Sequence, residues 1–253
     1  MSPAPRFDGR AGLEARISPR GRLVVALASA GLSACSLAIP LDDYDRGSTA
    51  TSGTGGAGGT CAPGSHPRIS SLVDDFSDGT PAPAWVPVGR CSPLETRGEV
   101  VVVPPTTGDE FCWYASVDTF QLRCDAVTFL VAEATAPALG VQTFVYIDPT
   151  DAAEPINLIL EGGGFQLGKT SDMTSLGKAY DSVDDRWWRL REAADRLHFE
   201  TSPDGKVWAD LGSIPDPEPL DAVRIRFGAG TYMPLANPGQ ARFDCYNVPP
   251  PCP

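Results

Sequence analysis

The sequence lacks the short motifs that mark common hydrolase and nucleotide-binding sites. It has only two histidines, His66 and His198, and it has no Gly-x-Ser-x-Gly and no His-Glu-x-x-His. The three glycines at 162–164 are not followed by Gly-Lys-Ser/Thr or by a helical pattern, so they do not form a phosphate loop. Six glutamates stand isolated, at 110, 133, 154, 161, 192 and 200. These absences predict a protein that is not an enzyme.

Basic residues are also outnumbered, with 20 lysines and arginines against 32 aspartates and glutamates. The chain has only three lysines, and its formal net charge is −12 over 253 residues. Such an acidic surface disfavours nucleic acid and anionic lipid surfaces as partners and favours solubility. We therefore expect no nucleic-acid partner.

No apolar run is long enough to span a bilayer, which takes about 20 residues. The longest N-terminal run is 23–32, which follows Arg16, Arg20 and Arg22 and is typical of an export signal. Leu-Ser-Ala-Cys at 32–35 then resembles the lipobox of bacterial lipoproteins. That resemblance implies removal of residues 1–34 and acylation of Cys35. The alternative is an ordinary signal peptide followed by an unrelated cysteine.

A polar segment follows the predicted cleavage point. Residues 47–60 contain only Gly, Ser, Thr and Ala, without an apolar period. Such composition is typical of a flexible coil, here with an r.m.s. reach of about 25–30 Å. We therefore predict a lipidated cysteine with a flexible tether over 35–64 and a folded domain over 65–253.

The sequence pattern predicts that the domain is all-β. In the stretch 185–208, Trp188 and Leu190 alternate with Arg189 and Arg191, and further alternation follows on both sides of the turn at 202–205. The pattern predicts three successive antiparallel strands from Asp185 to Trp208. Roughly a dozen short strands with no long amphipathic helix predict a two-sheet antiparallel β-sandwich.

Several segments together resemble the concanavalin A-like lectin/glucanase jelly roll, over about residues 69–248. They are Val-Asp-Asp-Phe-Ser-Asp-Gly at 73–79 with Trp85, the Arg-Trp-Trp-Arg-Leu-Arg-Glu strand at 186–192, the segment 199–208, and Ala-Arg-Phe-Asp at 241–244. This fold hosts enzymes, sugar binders and inert modules alike. Its glucanases carry a Glu-x-Asp-x-x-Glu-type strand, and the sequence has no such motif.

The resemblance also implies a structural calcium ion between the first and last strands. The matching candidate ligands are Asp74, Asp75 and Asp244, which offer the hard oxygen atoms that calcium prefers. Asp244 could equally cap a turn.

A ligand face is predicted on the strand at 187–192. Trp187, Arg189 and Arg191 share one face, where a sugar ring could stack on the indole and the guanidinium groups could bind hydroxyls or a carboxylate. The alternative is that Trp188 and Leu190 are core residues, Trp187 caps an edge, and the arginines pair with acids such as Asp184, Asp185 and Glu192.

Seven cysteines leave an even six if Cys35 carries lipid, which predicts up to three disulfides in an oxidising compartment. Six cysteines allow 15 pairings. Our preferred set follows the resemblance in pairing Cys124 with Cys245. Cys91 would pair with Cys112 to close the early loop, and Cys61 with Cys252 to join the domain ends. No cysteine spacing indicates a metal knuckle.

These observations predict a non-catalytic lipoprotein of the bacterial cell envelope, anchored through its lipid at the cell surface. Ser36 after the cysteine favours the outer membrane by analogy with lipoprotein sorting. The jelly roll would bind a partner, with polysaccharide as the leading ligand. The alternatives are a structural or interaction module that contacts another envelope protein, and a diverged glycoside hydrolase.

Overall fold

The chain folds into two stacked antiparallel sheets of seven strands each. A computed structural model describes residues 64–96, 98–151, 154–215 and 219–252. Cys35, Cys61 and the predicted signal and tether therefore lie outside the described residues. The first sheet has the strand order β1-β4-β13-β6-β7-β8-β9. Its strands are β1 (Trp85–Val88), β4 (Glu110–Ser116), β6 (Val141–Pro149), β7 (Ile156–Glu161), β8 (Gly164–Lys169), β9 (Asp172–Ala179) and β13 (Val223–Thr231).

The second sheet has the order β12-β11-β10-β5-β14-β3-β2. Its strands are β2 (Leu94–Thr96), β3 (Glu99–Val102), β5 (Ala126–Glu133), β10 (Trp187–Ala193), β11 (Arg196–Ser202), β12 (Ala209–Pro215) and β14 (Ala241–Asp244). The only helical element among the described residues is a short 3₁₀ turn, Ile69–Ser71. The predicted all-β, two-sheet sandwich is confirmed.

The core lies between the sheets and is built by alternate residues of each strand. In β5 the side chains of Val127, Phe129 and Val131 point inward, and in β13 those of Ile225 and Phe227 do so. Each fully buried side chain of this size stabilises the fold by about 1.5–3 kcal/mol. Because the side-chain period is two, the residues between them point outward and are free for another role.

The stretch 185–208 forms two of its three expected strands, and the expected side chains of both strands face the core. Trp188 and Leu190 are fully buried, as are Leu197 and Phe199 on β11. β10 pairs with β11 through the turn at 194–195. The third strand begins at Ala209, because the backbone of 203–207 is occupied by the turn that Ser202 and Asp204 hold through side-chain hydrogen bonds.

Two of the three disulfides expected from the sequence are wrong. Cys91 bonds to Cys112, as expected, with a Cα–Cα distance of 5.8 Å. Cys245 bonds to Cys252 only seven residues away. Since each cysteine forms one disulfide, the expected pairs of Cys124 with Cys245 and of Cys61 with Cys252 are excluded. Cys124 is itself disulfide-bonded. Both cysteines lie in the segment that follows β14, which turns back so that Cys252 reaches Cys245.

None of the helices among the described residues has the length and apolar character that crossing a membrane requires.

Candidate functional site

The outward face of the first sheet carries four aromatic rings near its centre. Phe111 and Trp113 project from β4, and Phe144 and Tyr146 project from β6, while their strand neighbours point into the core. We call these four side chains the aromatic face. Rings at positions i and i+2 share one side of a strand, so each pair is adjacent on the same surface.

Glycines of β13 separate the two pairs of rings. Gly228 lies opposite Trp113 on one side and Phe144 on the other, and Gly230 lies opposite Phe111. A Cβ atom on Gly228 would come within 2.8 Å of Trp113 Cβ, and one on Gly230 within 2.2 Å of Phe111 Cδ1. The absence of side chains here lets the rings lie over the sheet.

The rings pack against one another but leave surface open. Phe144 stacks on Tyr146 with centroids 4.4 Å apart, and Phe111 lies 6.0 Å from Phe144. Phe144 is fully buried, whereas Phe111, Trp113 and Tyr146 are partly exposed. The partly exposed rings provide flat apolar surface that does not have to be rearranged before a ligand binds.

Arg226 lies between the rings of β4 and those of β6, and an ion pair holds its side chain in place. Arg226 donates from Nε and Nη2 to the two carboxylate oxygens of Asp148, both at 2.5 Å. Its guanidinium also lies 5.3 Å from the Trp113 ring centroid and 5.1 Å from that of Tyr146. Burial raises the pKa of Tyr146 to about 12, against the opposing effect of the Arg226 charge. Tyr146 therefore stays a neutral phenol at physiological pH.

An open cavity of about 600 Å³ lies at the Arg226 end of this face. Val86, Val88 and Ala115 form its apolar walls, and Asp148, Arg224 and Arg226 supply its polar groups. Mostly apolar walls with a few placed polar groups are typical of small-molecule and carbohydrate sites.

The aromatic face does not bring a pair of carboxylates together. Asp148 lies at one end of β6, and Glu161 lies opposite Gln142 at the other. Six residues separate positions 142 and 148, which is roughly 20 Å at about 3.4 Å per residue. Glycosidase carboxyl pairs are separated by about 5–5.5 Å or about 6.5–9.5 Å. These two groups are too far apart for that chemistry.

A second cavity, of about 450 Å³, lies between the ends of β5 and β7. Glu133 and Glu161 both line it, together with Tyr180. Glu161 accepts hydrogen bonds from the Gly140 backbone amide, the Gln142 side-chain amide and the Tyr232 hydroxyl. Glu133 accepts one from Gln240 at 2.6 Å. Each carboxylate is held by neighbouring side chains.

The face predicted from Trp187, Arg189 and Arg191 lies on the outside of the second sheet. Other side chains of the protein already contact these three residues. Trp187 is only 5% exposed, since it packs against Leu130 and Cys245 with Val248 and Cys252 beside them. A sugar ring therefore cannot stack on it. Both arginines bind Glu200, at 2.6 Å from Arg189 and 3.0 Å from Arg191.

The acid that pairs with these arginines also differs from the ones expected. Glu200 lies directly opposite Arg189 on β11, whereas Asp185 is bound by Lys178 and Thr201. Glu192 accepts from the backbone amides of Cys124 and Asp195. Arg189 also lies 4.2 Å over the Trp208 ring. The packing interpretation of this strand fits the structure, and the ligand-face interpretation does not.

The three carboxylates expected to hold calcium do not all lie within 4.8 Å of one another. Asp74 accepts from the Phe76 amide and from Trp85 Nε1, both at 2.9 Å, and Asp75 accepts from the Ser77 amide. Asp244 accepts from the Cys245 amide. Among the described residues, the only group of three or more histidine, cysteine or carboxylate ligand atoms within 4.8 Å of one another belongs to Asp244, Cys245 and Cys252. The sulfurs of that group form a disulfide and are not thiolates, so the residues present do not fit a metal ion.

A different carboxyl pair lies near Asp74. Both carboxylate oxygens of Glu95 are enclosed without a hydrogen-bond partner of good geometry, and the carboxyl of Asp78 faces them. Burial raises the pKa of Glu95 to about 8, and Asp78 and Asp74 act in the same direction. Burial likewise raises the pKa of Asp244 to about 6. Burial therefore favours the protonated form of Glu95 at neutral pH.

Sequence reasoning predicted a sandwich of about a dozen strands but did not assign the outward rings of β4 and β6 to a site. The available signal was the i, i+2 spacing of Phe111 with Trp113 and of Phe144 with Tyr146. The Gly-x-Gly at 228–230 inside a strand is a further signal of close approach. The pairing that brings these three strands together is not visible in any local pattern.

Neither a protein-family model nor a curated protein sequence matches the chain. Solved structures do resemble it. The apo form of the Crh5 transglycosylase has a TM-score of 0.51 at 13% identity, over 73% of this chain and 85% of that one. A β-1,3-glucanase from Mycobacterium marinum has a TM-score of 0.51 at 14% identity, over 72% and 98%.

An uncharacterized protein from Mycobacterium paratuberculosis also has a TM-score of 0.51, at 12% identity over 70% of this chain and 98% of that one. At such identities the likeness concerns the fold alone. The chain has a glucanase-like and lectin-like β-sandwich fold.

Proposed function

We propose that this protein is a non-catalytic module that binds polysaccharide on the aromatic face. The observation that carries the proposal is the placement of Trp113 and Tyr146 on either side of the Arg226–Asp148 pair, beside an open cavity. The glucanase-like fold of the structural neighbours supports the ligand class.

The chemistry of the face suits a sugar. A pyranose has one face of C–H groups, which packs on an aromatic ring, and a rim of hydroxyls, which needs hydrogen-bond partners. Trp113 and Tyr146 offer the ring surface, and the fixed guanidinium and carboxylate of Arg226 and Asp148 offer the polar partners. Since these groups already hold one another in place, binding costs little side-chain ordering.

Trp113→Ala tests the proposal directly, with Trp208→Ala as the matched control because Trp208 is a partly buried tryptophan that packs against the outer face of the second sheet. Affinity electrophoresis against a panel of polysaccharides, followed by calorimetry on the ligands found, gives the readout. We expect Trp113→Ala to weaken binding at least about tenfold, equivalent to about 1.4 kcal/mol, and Trp208→Ala to leave it unchanged. No binding by the wild-type protein, or loss only in Trp208→Ala, would overturn it.

The separation of Asp148 from Glu161 supports the non-catalytic part of the proposal. The second candidate is a diverged glycoside hydrolase that uses the second cavity, because Glu133 and Glu161 both line it. Reducing-sugar release from the bound polysaccharide distinguishes the two. Release that is lost in both Glu133→Gln and Glu161→Gln would favour the hydrolase, and no release by the wild-type protein favours the binding module.

The third candidate is an interaction module of the cell envelope. Three exposed apolar side chains, Leu139, Tyr232 and Met233, lie on adjoining loops at one end of the first sheet, where Met233 contacts Gly140 and Leu139 contacts Gly162. Exposed apolar clusters often mark protein contacts. Pull-down of an exported partner that fails with Leu139→Ser/Met233→Ser would favour it.

The location proposed for this module is the cell envelope, with Cys35 carrying the lipid. The support is the lipobox-like Leu-Ser-Ala-Cys at 32–35 behind a short apolar run. Expression in a bacterial host with labelled palmitate should label the wild-type protein and not Cys35→Ser. Partition of the wild-type protein into the aqueous phase of a detergent extraction would contradict the proposal.

A further inference from the structure

Two arginines and one acid lie at the cavity end of the aromatic face. Arg224 and Arg226 both project outward from β13. In the strand register Arg224 lies directly opposite Asp148, while Arg226 lies opposite Tyr146. Directly opposite residues on antiparallel strands are the closest side-chain neighbours. Asp148 nevertheless pairs with Arg226, diagonally and through both oxygens.

Arg224 is left without an acid. Its side chain is exposed, and it makes no ion pair or side-chain hydrogen bond within the part of the chain that the structure describes. It lines the same cavity as Val86 and Val88. This end of the face therefore carries two guanidinium groups against one carboxylate, in a chain whose overall net charge is −12.

We propose that the ligand of the aromatic face is an anionic polysaccharide, whose acidic group binds Arg224. This inference rests on the proposed function. A guanidinium presents paired N–H donors in a plane that matches carboxylate and ester sulfate groups, and such charge-assisted pairs are stronger than neutral hydrogen bonds. The apolar wall of Val86 and Val88 would meet the C–H face of the same sugar.

The spacing on the sheet sets a minimum ligand length. Trp113 lies opposite Gly228, and Arg224 is four residues from Gly228 along β13. Four residues span roughly 14 Å at about 3.4 Å per residue. A ligand that both stacks on Trp113 and pairs with Arg224 is therefore longer than one sugar unit.

Polygalacturonate and its methyl-esterified form provide the test, because they share a backbone and differ in charge. Binding is measured by calorimetry at low and high salt. Carrageenan and agarose, a sulfated and a neutral galactan, form a second pair that separates ester sulfate from carboxylate. We expect one of the anionic polymers to bind at least about tenfold more tightly than its neutral counterpart, and added salt to weaken that binding.

Arg224→Ala should remove the preference for the anionic polymer, and Arg224→Lys should restore part of it. Arg196→Ala, which removes an exposed arginine from the second sheet, should leave the preference intact. Circular dichroism verifies that each variant is folded.

The outcomes separate this inference from the proposed function. Equal binding of charged and neutral polymers that Trp113→Ala abolishes would overturn the inference and leave the proposed function standing. An anionic preference that persists in Arg224→Ala would also overturn the inference. No binding to any polysaccharide would overturn both.

Discussion

Gly230 shows how a single residue on β13 controls the ring beside it. A Cβ atom at this position would lie 2.2 Å from Phe111 Cδ1 and 2.7 Å from the Glu110 carbonyl oxygen. The backbone contact cannot be relieved by turning a side chain, so strand and ring both have to shift. The small residue is thus required by packing, and the aromatic face depends on it.

We predict that Gly230→Ala destabilises the fold by about 1–3 kcal/mol, the usual range for overpacking. The matched control is Gly164→Ala, at a strand glycine whose added Cβ would meet nothing closer than 3.8 Å. Urea unfolding of both variants gives the comparison. Equal stability of the two variants would contradict the prediction.

Glu95 is a second single residue with a large effect, because it makes the stability of the fold depend on pH. Its pKa is raised from an ordinary value of 4.5 to about 8 in the folded protein, first by burial and then by Asp78 and Asp74. The folded state therefore binds more protons than the unfolded state between these two values. By linkage, stability falls as pH rises through this window. Tyr114, whose buried hydroxyl also lacks a partner, senses the same charges.

We predict that the free energy of unfolding declines between pH 6 and pH 8, and that Glu95→Gln reduces this decline. The window begins at pH 6 because the pKa of Asp244 is raised to about 6. Below that pH, Asp244 also makes the free energy of unfolding fall as the pH rises. Denaturant unfolding at several pH values measures both slopes. Parallel curves for wild-type and Glu95→Gln would refute the assignment.

At the scale of elements, two disulfides tie strand ends by loops of different length. Cys91–Cys112 closes a loop of 21 residues and holds the segment between β1 and β2 against β4. Cys245–Cys252 closes only seven, and it holds the C-terminal segment over Trp187. In the chain-entropy account, a longer loop restricts the unfolded chain more.

We predict that replacing both Cys91 and Cys112 by alanine costs about 3 kcal/mol, and replacing Cys245 and Cys252 about 2 kcal/mol. Replacing Cys245 and Cys252 should also raise the solvent exposure of Trp187, because the loop that these cysteines close covers Trp187. Urea unfolding and iodide quenching of tryptophan fluorescence measure the two effects. A larger loss of stability from the C-terminal pair would show that packing over Trp187 outweighs chain entropy.

The strands also show which sequence patterns were sufficient to locate them. Alternation located β10 and β11 to within a residue or two and assigned Trp188 and Leu190 to the core. β9 was not predicted, because most of its residues are exposed at a sheet edge and carry no apolar alternation. β12 begins after Trp208 and not before it, because the turn hydrogen bonds of Asp204 extend to Val207.

At the scale of the whole molecule, the fold is shared with glucanase-like structures, and the carboxylates expected to hold calcium make contacts within the protein. Asp74 holds the first segment to the core through Trp85, and Asp244 lies beside a disulfide. Both are used for packing and turn formation. An ion that bound only the folded state would stabilise it by RT ln(1 + L/Kd), where L is the free ion concentration.

We predict that calcium at millimolar concentration does not raise the melting temperature relative to a chelator. Differential scanning calorimetry of the domain, with magnesium as the control for ionic strength, measures this. A calcium-specific increase that Asp74→Asn or Asp244→Asn removes would restore the site implied by the resemblance.

The sequence by itself determined the all-β class, the position of most strands and the faces they turn to the core, because these follow from side-chain alternation along a few consecutive residues. Only the tertiary structure decided which outward faces stay open. Trp187 is covered by residues more than fifty positions later, and Arg226 finds Asp148 78 positions away. Such pairings depend on strand order across the sheet, which no local pattern encodes. The rings of β4 and β6 become one surface because β13 inserts its glycines between them.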